Sequence, residues 1–151
     1  MTTITAKWFE CSVRYDKTDE NGTTKKQTEQ YVVNALSFTE AEAAILKEMQ
    51  PFATGIIEVV GMKPATYSEI AFLDDFDDTH FYKMKLAFIT LDEKSGKEKR
   101  TNNTILVEGR SLHDALDGID TIMQGSMLQY VSLNATTTKF LEVFRGTSEQ
   151  K

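Results

Sequence analysis

From Phe9 to Asp16 apolar and polar residues alternate one for one. Phe9, Cys11, Val13 and Tyr15 fall on one side, and Glu10, Ser12, Arg14 and Asp16 on the other. A period of two is that of a strand with one buried face. "ENGT" then supplies Asn21-Gly22, a pair that tolerates positive φ and suits a type I′ turn, and "QYVVNA" reads as the return strand. After it the period lengthens to that of a helix. Ser37 is followed at the third position by Glu40, the spacing of a capping box. Phe38, Ala41, Ala44, Ile45 and Met49 mark one apolar stripe. Two further strand-like runs, "GIIEVVGM" and "YSEIAFL", complete a β-β-α-β-β pattern.

The pattern is written twice. With Trp8 set against Phe81, an offset of 73, Phe9 meets Tyr82, Cys11 meets Met84, Val13 meets Leu86 and Tyr15 meets Phe88. One extra residue in the second turn, "EKSGK", raises the offset to 74. Gly22 then meets Gly96, Val33 meets Val107, Ser37 meets Ser111, Ala41 meets Ala115, Ile45 meets Ile119 and Met49 meets Met123. A length change confined to a turn is one a hairpin tolerates. Ser111 with Asp114 repeats the cap, and Leu112, Ala115, Gly118, Ile119 and Met123 repeat the stripe. "MLQYVSLNA" and "TKFLEVF" repeat the last two strands.

The expected fold is therefore α+β: a tandem duplication of a β-β-α-β-β unit, with antiparallel sheets each covered by one helix and related by a pseudo-twofold axis. The first repeat is expected over residues 1–73, an acidic linker over 74–80 and the second repeat over 81–151. A unit of about 70 residues has a marginal core, so the two are expected to make one compact body. Acidic residues precede each turn and basic ones follow it, which predicts opposite charges facing across the hairpins. The small pair Ala44 and Gly118 predicts close approach of a neighbouring element, since Gly inside a helix is otherwise unfavourable.

Composition narrows the functional classes. The 151 residues are 40% hydrophobic and 26% charged, with two prolines and eight glycines, a globular profile. The net charge of −6 works against non-specific binding to phosphate backbones. One cysteine, Cys11, excludes an intramolecular disulfide framework and suits a cytoplasmic location. The stretch "MTTITAKWFEC" lacks the apolar core of a signal peptide. No run approaches the ~18 apolar residues of a membrane helix, so a soluble cytoplasmic protein with no membrane partner is expected.

Candidate chemistry is sparse. His80 and His113 have neither a second histidine at helical spacing nor a Cys-x-x-Cys companion, so no metal site is expected. Cys11 lies on the inward side of its strand and reads as a small core residue; a nucleophilic thiol needs an activating base or positive field. "DDFDD", residues 74 to 78, gathers four carboxylates around Phe76 without the glycine of a calcium loop, and reads as a solvated linker. Asp114, Asp117 and Asp120 mark a polar helix face. Phosphate-binding glycine loops and nucleophile elbows do not occur in the sequence. No catalytic residue and no cofactor is expected, and the chain does not read as an enzyme.

One asymmetry stands out between the copies. The outward positions Glu10, Ser12, Arg14 and Asp16 correspond to Lys83, Lys85, Ala87 and Ile89, with Leu91 beyond. A partly apolar face needs a cover, whether the other half, a second chain or a partner. The expected interaction surface is Phe81, Ala87, Ile89 and Leu91, with Trp8 at the matching edge. Trp8, Phe81, Lys83 and Lys85 also have the residue types of a base-stacking surface, but the acidic chain lacks the electrostatic footprint of a nucleic-acid binder.

Across most of its length the chain resembles an uncharacterised family, the domain of unknown function 4494 of gut anaerobic bacteria and their phages. "WFECSVRYDKTDENG", "ALSFTEAEA", "FITLDEKSGKEK" and "YSEIAF" carry the resemblance. These stretches are turns, caps and strand-to-helix entries, so the resemblance implies neither an activity nor a set of site residues. The function expected first is a non-catalytic intracellular binding or assembly module that takes a protein partner or self-associates. A small-ligand sensor with a pocket between the repeats is the second reading, and single-stranded nucleic-acid binding the third. Any function is expected where the two copies differ.

Overall fold

The computed structural model describes residues 2–4, 6–53, 55–74, 76–124 and 129–146. Its elements run β1 (Thr2–Ile4), β2 (Trp8–Thr18), β3 (Thr24–Asn34), α1 (Phe38–Met49), a 3₁₀ turn (Gln50–Phe52), β4 (Glu58–Pro64) and β5 (Glu69–Phe72). They continue with β6 (His80–Leu91), β7 (Glu98–Gly109), α2 (Leu112–Met123), β8 (Gln129–Thr137) and β9 (Phe140–Phe144). The protein is α+β, as the periodicities predict.

The strands form two sheets, ordered β4-β2-β3-β9 and β1-β5-β7-β6-β8. In the first, α1 packs on β2, β3 and β4; in the second, α2 packs on β6, β7 and β8. Each helix lies over the sheet face that its stripe predicts. Ala41, Ile45 and Met49 bury against Phe9, Cys11, Val13 and Tyr15. Ala115 and Ile119 bury against Tyr82, Met84, Leu86 and Val107. Gly118 is buried on the inward face of α2.

The pairing departs from the expected repeats. Residues 1–73 and 81–151 do not correspond to the compact units, which are Ala6–Ala65 with Lys139–Lys151, and Met1–Thr5 with Thr66–Thr138. β5 lies parallel to β7, and β9 lies parallel to β3. The sheets are therefore mixed, not antiparallel. The run "EIAF" of β5 is flanked on both sides, by β1 and β7, and three of its four residues are buried. A short apolar strand carries no local signal for its neighbour, because its pattern satisfies any return strand with the same face inward.

Both hairpin turns are organised by an aspartate. Asp19 accepts from the backbone N–H of Asn21 (3.0 Å) and Thr23 (2.8 Å). Asp92 accepts from Lys94 N–H (3.0 Å) and the Ser95 hydroxyl (3.1 Å). Positive φ falls on Gly22 and Gly96, while Asn21 keeps negative φ, so the first turn is not type I′. An aspartate bonding backbone two residues on is itself a turn former, and here it displaces the Asn-Gly geometry. The expected facing of opposite charges occurs at Asp16 and Lys26, but Lys17 faces Lys25 and Ile89 faces Arg100.

The caps form as read. Ser37 accepts from Glu40 N–H at 3.2 Å, and Ser111 accepts from Asp114 N–H at 3.1 Å. The carboxylates reach back one residue beyond the usual box, to the N–H of Leu36 (3.4 Å) and Arg110 (2.9 Å). Bonds from the Arg110 backbone and side chain hold the Asp114 carboxyl below the usual range.

Between β7 and α2, Gly109 is tightly enclosed. A Cβ there would lie 2.9 Å from the Ala115 backbone nitrogen and 3.1 Å from both the Ala115 Cβ and the Ser111 carbonyl oxygen. Backbone atoms cannot swing aside as a side chain can. Gly109→Ala is expected to displace the start of α2 and to destabilise the protein by about 1–3 kcal/mol, read as a lower urea midpoint at unchanged slope. Among the described residues no helix is long and apolar enough to cross a membrane, which does not bear on β-barrels.

Candidate functional site

β2 and β3 have 11 residues each and α1 has 12. Strands of that length run about 36 Å and the helix about 18 Å, so one helix cannot cover the whole sheet face. Past Met49 the inward face carries polar groups. Glu29 lies opposite Val13 and shares the face of Tyr15 and Tyr31. Its side chain is only 9% exposed.

The Glu29 carboxylate is held by three donors. Tyr15 donates its hydroxyl to Oε1 at 2.5 Å and Tyr31 donates to the same oxygen at 2.9 Å. Lys17 donates its ammonium to Oε2 at 3.2 Å, with its own side chain half exposed. Phe144 of β9 stacks on Tyr31 with centroids 5.4 Å apart and planes inclined by 23°. Around this cluster opens a pocket of about 420 Å³, with Met49, Phe52, Leu141 and Glu142 among its lining. Phe52 and Leu141 are 67% and 55% exposed. The pocket thus mixes exposed apolar and polar side chains around a buried carboxylate, and it lies within a single compact unit.

Burial alone raises the Glu29 carboxyl, but the bonds from Tyr15, Tyr31 and Lys17 outweigh it and hold the group below its usual range. Burial, followed by the bond to Glu29, pushes the Tyr15 phenol up to about 12. Tyr31 is raised by burial and by Glu29, with Tyr15 and Glu142 adding. On the other unit the Tyr130 phenol, bonded to Asp120 at 2.5 Å, is likewise pushed up to about 12.

A phenol raised above its unfolded value of 10.0 holds its proton more tightly when folded. That contribution to stability is complete below pH 10 and is lost as pH rises through about 12. Glu29 acts in the opposite sense: its contribution is present above the ordinary value of 4.5 and is lost as acid protonates it. Near pH 11, Tyr15, Tyr31 and Tyr130 are therefore expected to remain protonated, seen as missing phenolate absorbance that appears on unfolding. Single Tyr→Phe variants assign each missing step.

The residues expected to form an interaction surface do not share one solvent-facing strip. Trp8 and Phe81 are 2% exposed and Ala87 is 1% exposed, whereas Leu91 is 70% exposed. Ile89 is half-buried. Trp8 to Cys11 of β2, and Phe81 with Tyr82 of β6, are buried at successive, oppositely facing positions, which one-sided alternation does not anticipate. His80 and His113 are exposed. Cys11 is buried among the core residues under α1, and burial first, then the charge of Glu10, pushes its thiol up to about 11.

Of the expected linker over 74–80, Asp75 lies outside the described residues; Asp74, Phe76, Asp77, Asp78 and His80 are exposed, and several residues here have partners. Glu108 accepts from the Leu73 N–H at 2.8 Å and from the Thr79 hydroxyl. The Arg110 guanidinium sits 4.4 Å from the Phe76 ring centroid, and Thr2 donates to Asp74. Among the described residues no three His, Cys, Asp or Glu side chains are grouped to hold a metal ion.

Glu29, Lys17 and Tyr31 were not legible as a site from one strand at a time. A signal for them does exist in the sequence. At the offset of 73 or 74 that aligns the two hairpins, Tyr15, Lys17, Glu29 and Tyr31 meet Phe88, Thr90, Asn103 and Ile105. The carboxylate and both hydroxyls are absent there, while the neighbouring core positions stay apolar.

A model of the family described as "Domain of unknown function (DUF4494)" matches residues 7–146 of the chain. No curated protein matches the chain, and no solved structure matches it.

Proposed function

Since the chain belongs to the DUF4494 family, whose description names no activity, we propose from its geometry that it is a non-catalytic binding module whose ligand site is the pocket over Glu29. The pocket carries this reading. At about 420 Å³ it falls in the size range of small-molecule sites, roughly 300–1,000 Å³. It combines an apolar wall with a few fixed polar groups, the makeup that orients a ligand.

The ionisation states favour binding over catalysis. A general acid or base works best with its pKa near the operating pH. Here the carboxyl is lowered and the phenols and the thiol are raised, each away from neutrality. Glu29 is a fixed anion and the tyrosines are fixed donors. Such groups recognise a ligand without exchanging protons with it.

The test is a thermal-shift screen of small metabolites on the intact chain, followed by NMR of the Met49 methyl and the Tyr15 and Tyr31 rings. A ligand at 100 times its dissociation constant stabilises the fold by about 2.7 kcal/mol. Ligands that shift those three residues support the reading. Ligands that stabilise the protein but all map elsewhere, or that are turned over, count against it.

The same proposal includes the origin of the chain by tandem duplication. Its support is geometric as well as sequential. The β2–β4 register shifts between Ser12 and Val13 and the β6–β8 register between Lys85 and Leu86, the same offset that aligns Trp8 with Phe81. The strand orders β4-β2-β3 and β8-β6-β7 match element for element. In this view the last strand of each copy, β5 or β9, has been exchanged into the other copy's sheet. A cytoplasmic setting is part of the reading, supported by a single cysteine buried as a free thiol.

A further inference from the structure

The pocket holds a buried anion. Among the described residues that line it, Glu29 and Glu142 carry carboxylates and Lys17 an ammonium. The Glu29 carboxylate has about four lone-pair sites, and three are taken, by Tyr15, Tyr31 and Lys17. The two phenols are buried and approach Oε1 together; among the described residues Lys17 alone reaches Oε2, from a side chain 51% exposed. Oε2 is therefore the oxygen whose partner can be replaced at little cost, since a half-exposed lysine regains its hydration on leaving. Tyr31 and Phe144, stacked on each other, line the same pocket, and Phe52 of its lining is exposed. Aromatic rings in a pocket with a carboxylate add to the attraction of a cation through the ring quadrupole.

We propose that this pocket takes a small organic cation, an ammonium on an aromatic or apolar body, with the ammonium on Glu29 in exchange for Lys17 and the body against Tyr31 and Phe144. Lys17 then acts as a built-in occupant of the cation site, leaving when the ligand enters. The inference rests on the reading of this pocket as the ligand site and adds the chemical class of what it binds. An anion of the same shape meets the Glu29 carboxylate, and a neutral analogue gains the apolar wall without the ion pair.

The experiment titrates the full-length protein with phenethylammonium, 3-phenylpropionate and ethylbenzene, read by calorimetry and by NMR of the Tyr31 ring and Met49 methyl. Phenethylammonium is expected to bind at millimolar concentration and to shift both residues, with the anion and the hydrocarbon much weaker. Glu29→Gln is expected to weaken the cation by about tenfold or more, the loss of a charge-assisted contact. Lys17→Met is expected to tighten it a few-fold, because the competing ammonium is gone. That gain is the distinguishing readout, since a merely structural lysine would give no change or a loss. If Glu29→Gln fails to fold by circular dichroism, the Lys17→Met comparison still decides. Preferred binding of 3-phenylpropionate or ethylbenzene with shifts at Tyr31 would overturn the cation and leave the pocket standing. Cation binding unaffected by Lys17→Met, or absent at millimolar concentration, also overturns it. Shifts confined to residues outside the pocket overturn both the cation and the pocket reading.

Discussion

Truncation after Thr138 is expected to strip hydrogen-exchange protection from β3, in the first half of the chain, and to leave β6 and β7 largely protected. β9 pairs in parallel with β3 from Gln30 to Val33. Removing it uncovers that edge and deletes the buried Phe140 and Val143, the ring stacked on Tyr31 and the carbonyl of Arg145 that accepts from the Asn34 amide at 3.0 Å. Burying side chains of that kind is worth about 1.5–3 kcal/mol each, so losing two of them removes a large part of a typical domain's stability of roughly 5–15 kcal/mol. The amides of Tyr31, Val32 and Val33 report the effect, against those of Met84 and Leu106 as reference. Had β9 instead joined the sheet of β6 and β7, its nearer neighbours in the sequence, the loss would fall on the reference amides. That outcome would refute the pairing of β9 with β3.

Glu29→Leu is expected to cost about 2–4 kcal/mol. Leucine fills the volume but leaves the Tyr15 and Tyr31 hydroxyls, on side chains only 2% and 7% exposed, without their acceptor. A buried donor left unsatisfied costs about 1–3 kcal/mol, and the open pocket lets water recover part of it. Glu29→Gln keeps an acceptor oxygen and is expected to cost about 1 kcal/mol. Lys17→Met should change stability little, since a half-exposed ion pair contributes at most about 1 kcal/mol. Urea unfolding at neutral pH gives the order Leu, then Gln, then the lysine variant. Equal costs for the two Glu29 variants would show that the tyrosine hydroxyls do not need their acceptor. Tyr15→Phe combined with Glu29→Gln should be less than additive, because both remove the same bond.

Much of the local structure was legible because its causes are local. Ser37 and Ser111 cap their helices through contacts three residues away, and the stripes through Ile45 and Ile119 face the sheet they were expected to face. The turn at Asn21-Gly22 shows where local reading fails: the Asp19 carboxylate, two residues upstream, took over the backbone donors and set the geometry. Trp8 and Phe81 show a second limit. Alternation places them on an outward face, yet they are buried along with their inward neighbours Phe9 and Tyr82, so each strand is covered on both sides at that point. Of the pocket, Tyr15 and Met49 were read as core on their period, and Phe144 as part of the last strand. Glu29 was one polar residue among many on a return strand.

Local pattern accounts for the strand-strand-helix runs from Trp8 and from Phe81, the two caps, the inward faces under the helices and the membership of the α+β class, since each depends on contacts a few residues apart or on a period along the chain; β1 (Thr2–Ile4) carries no such pattern. Only the tertiary structure decided that β5 sits beside β7 and β9 beside β3, and that Tyr15, Lys17, Glu29, Tyr31 and Phe144 meet in one pocket. Those arrangements join residues up to more than a hundred positions apart. Pairing at that range is chosen by which whole chain buries its apolar surface and satisfies its polar groups together, a condition no single segment carries.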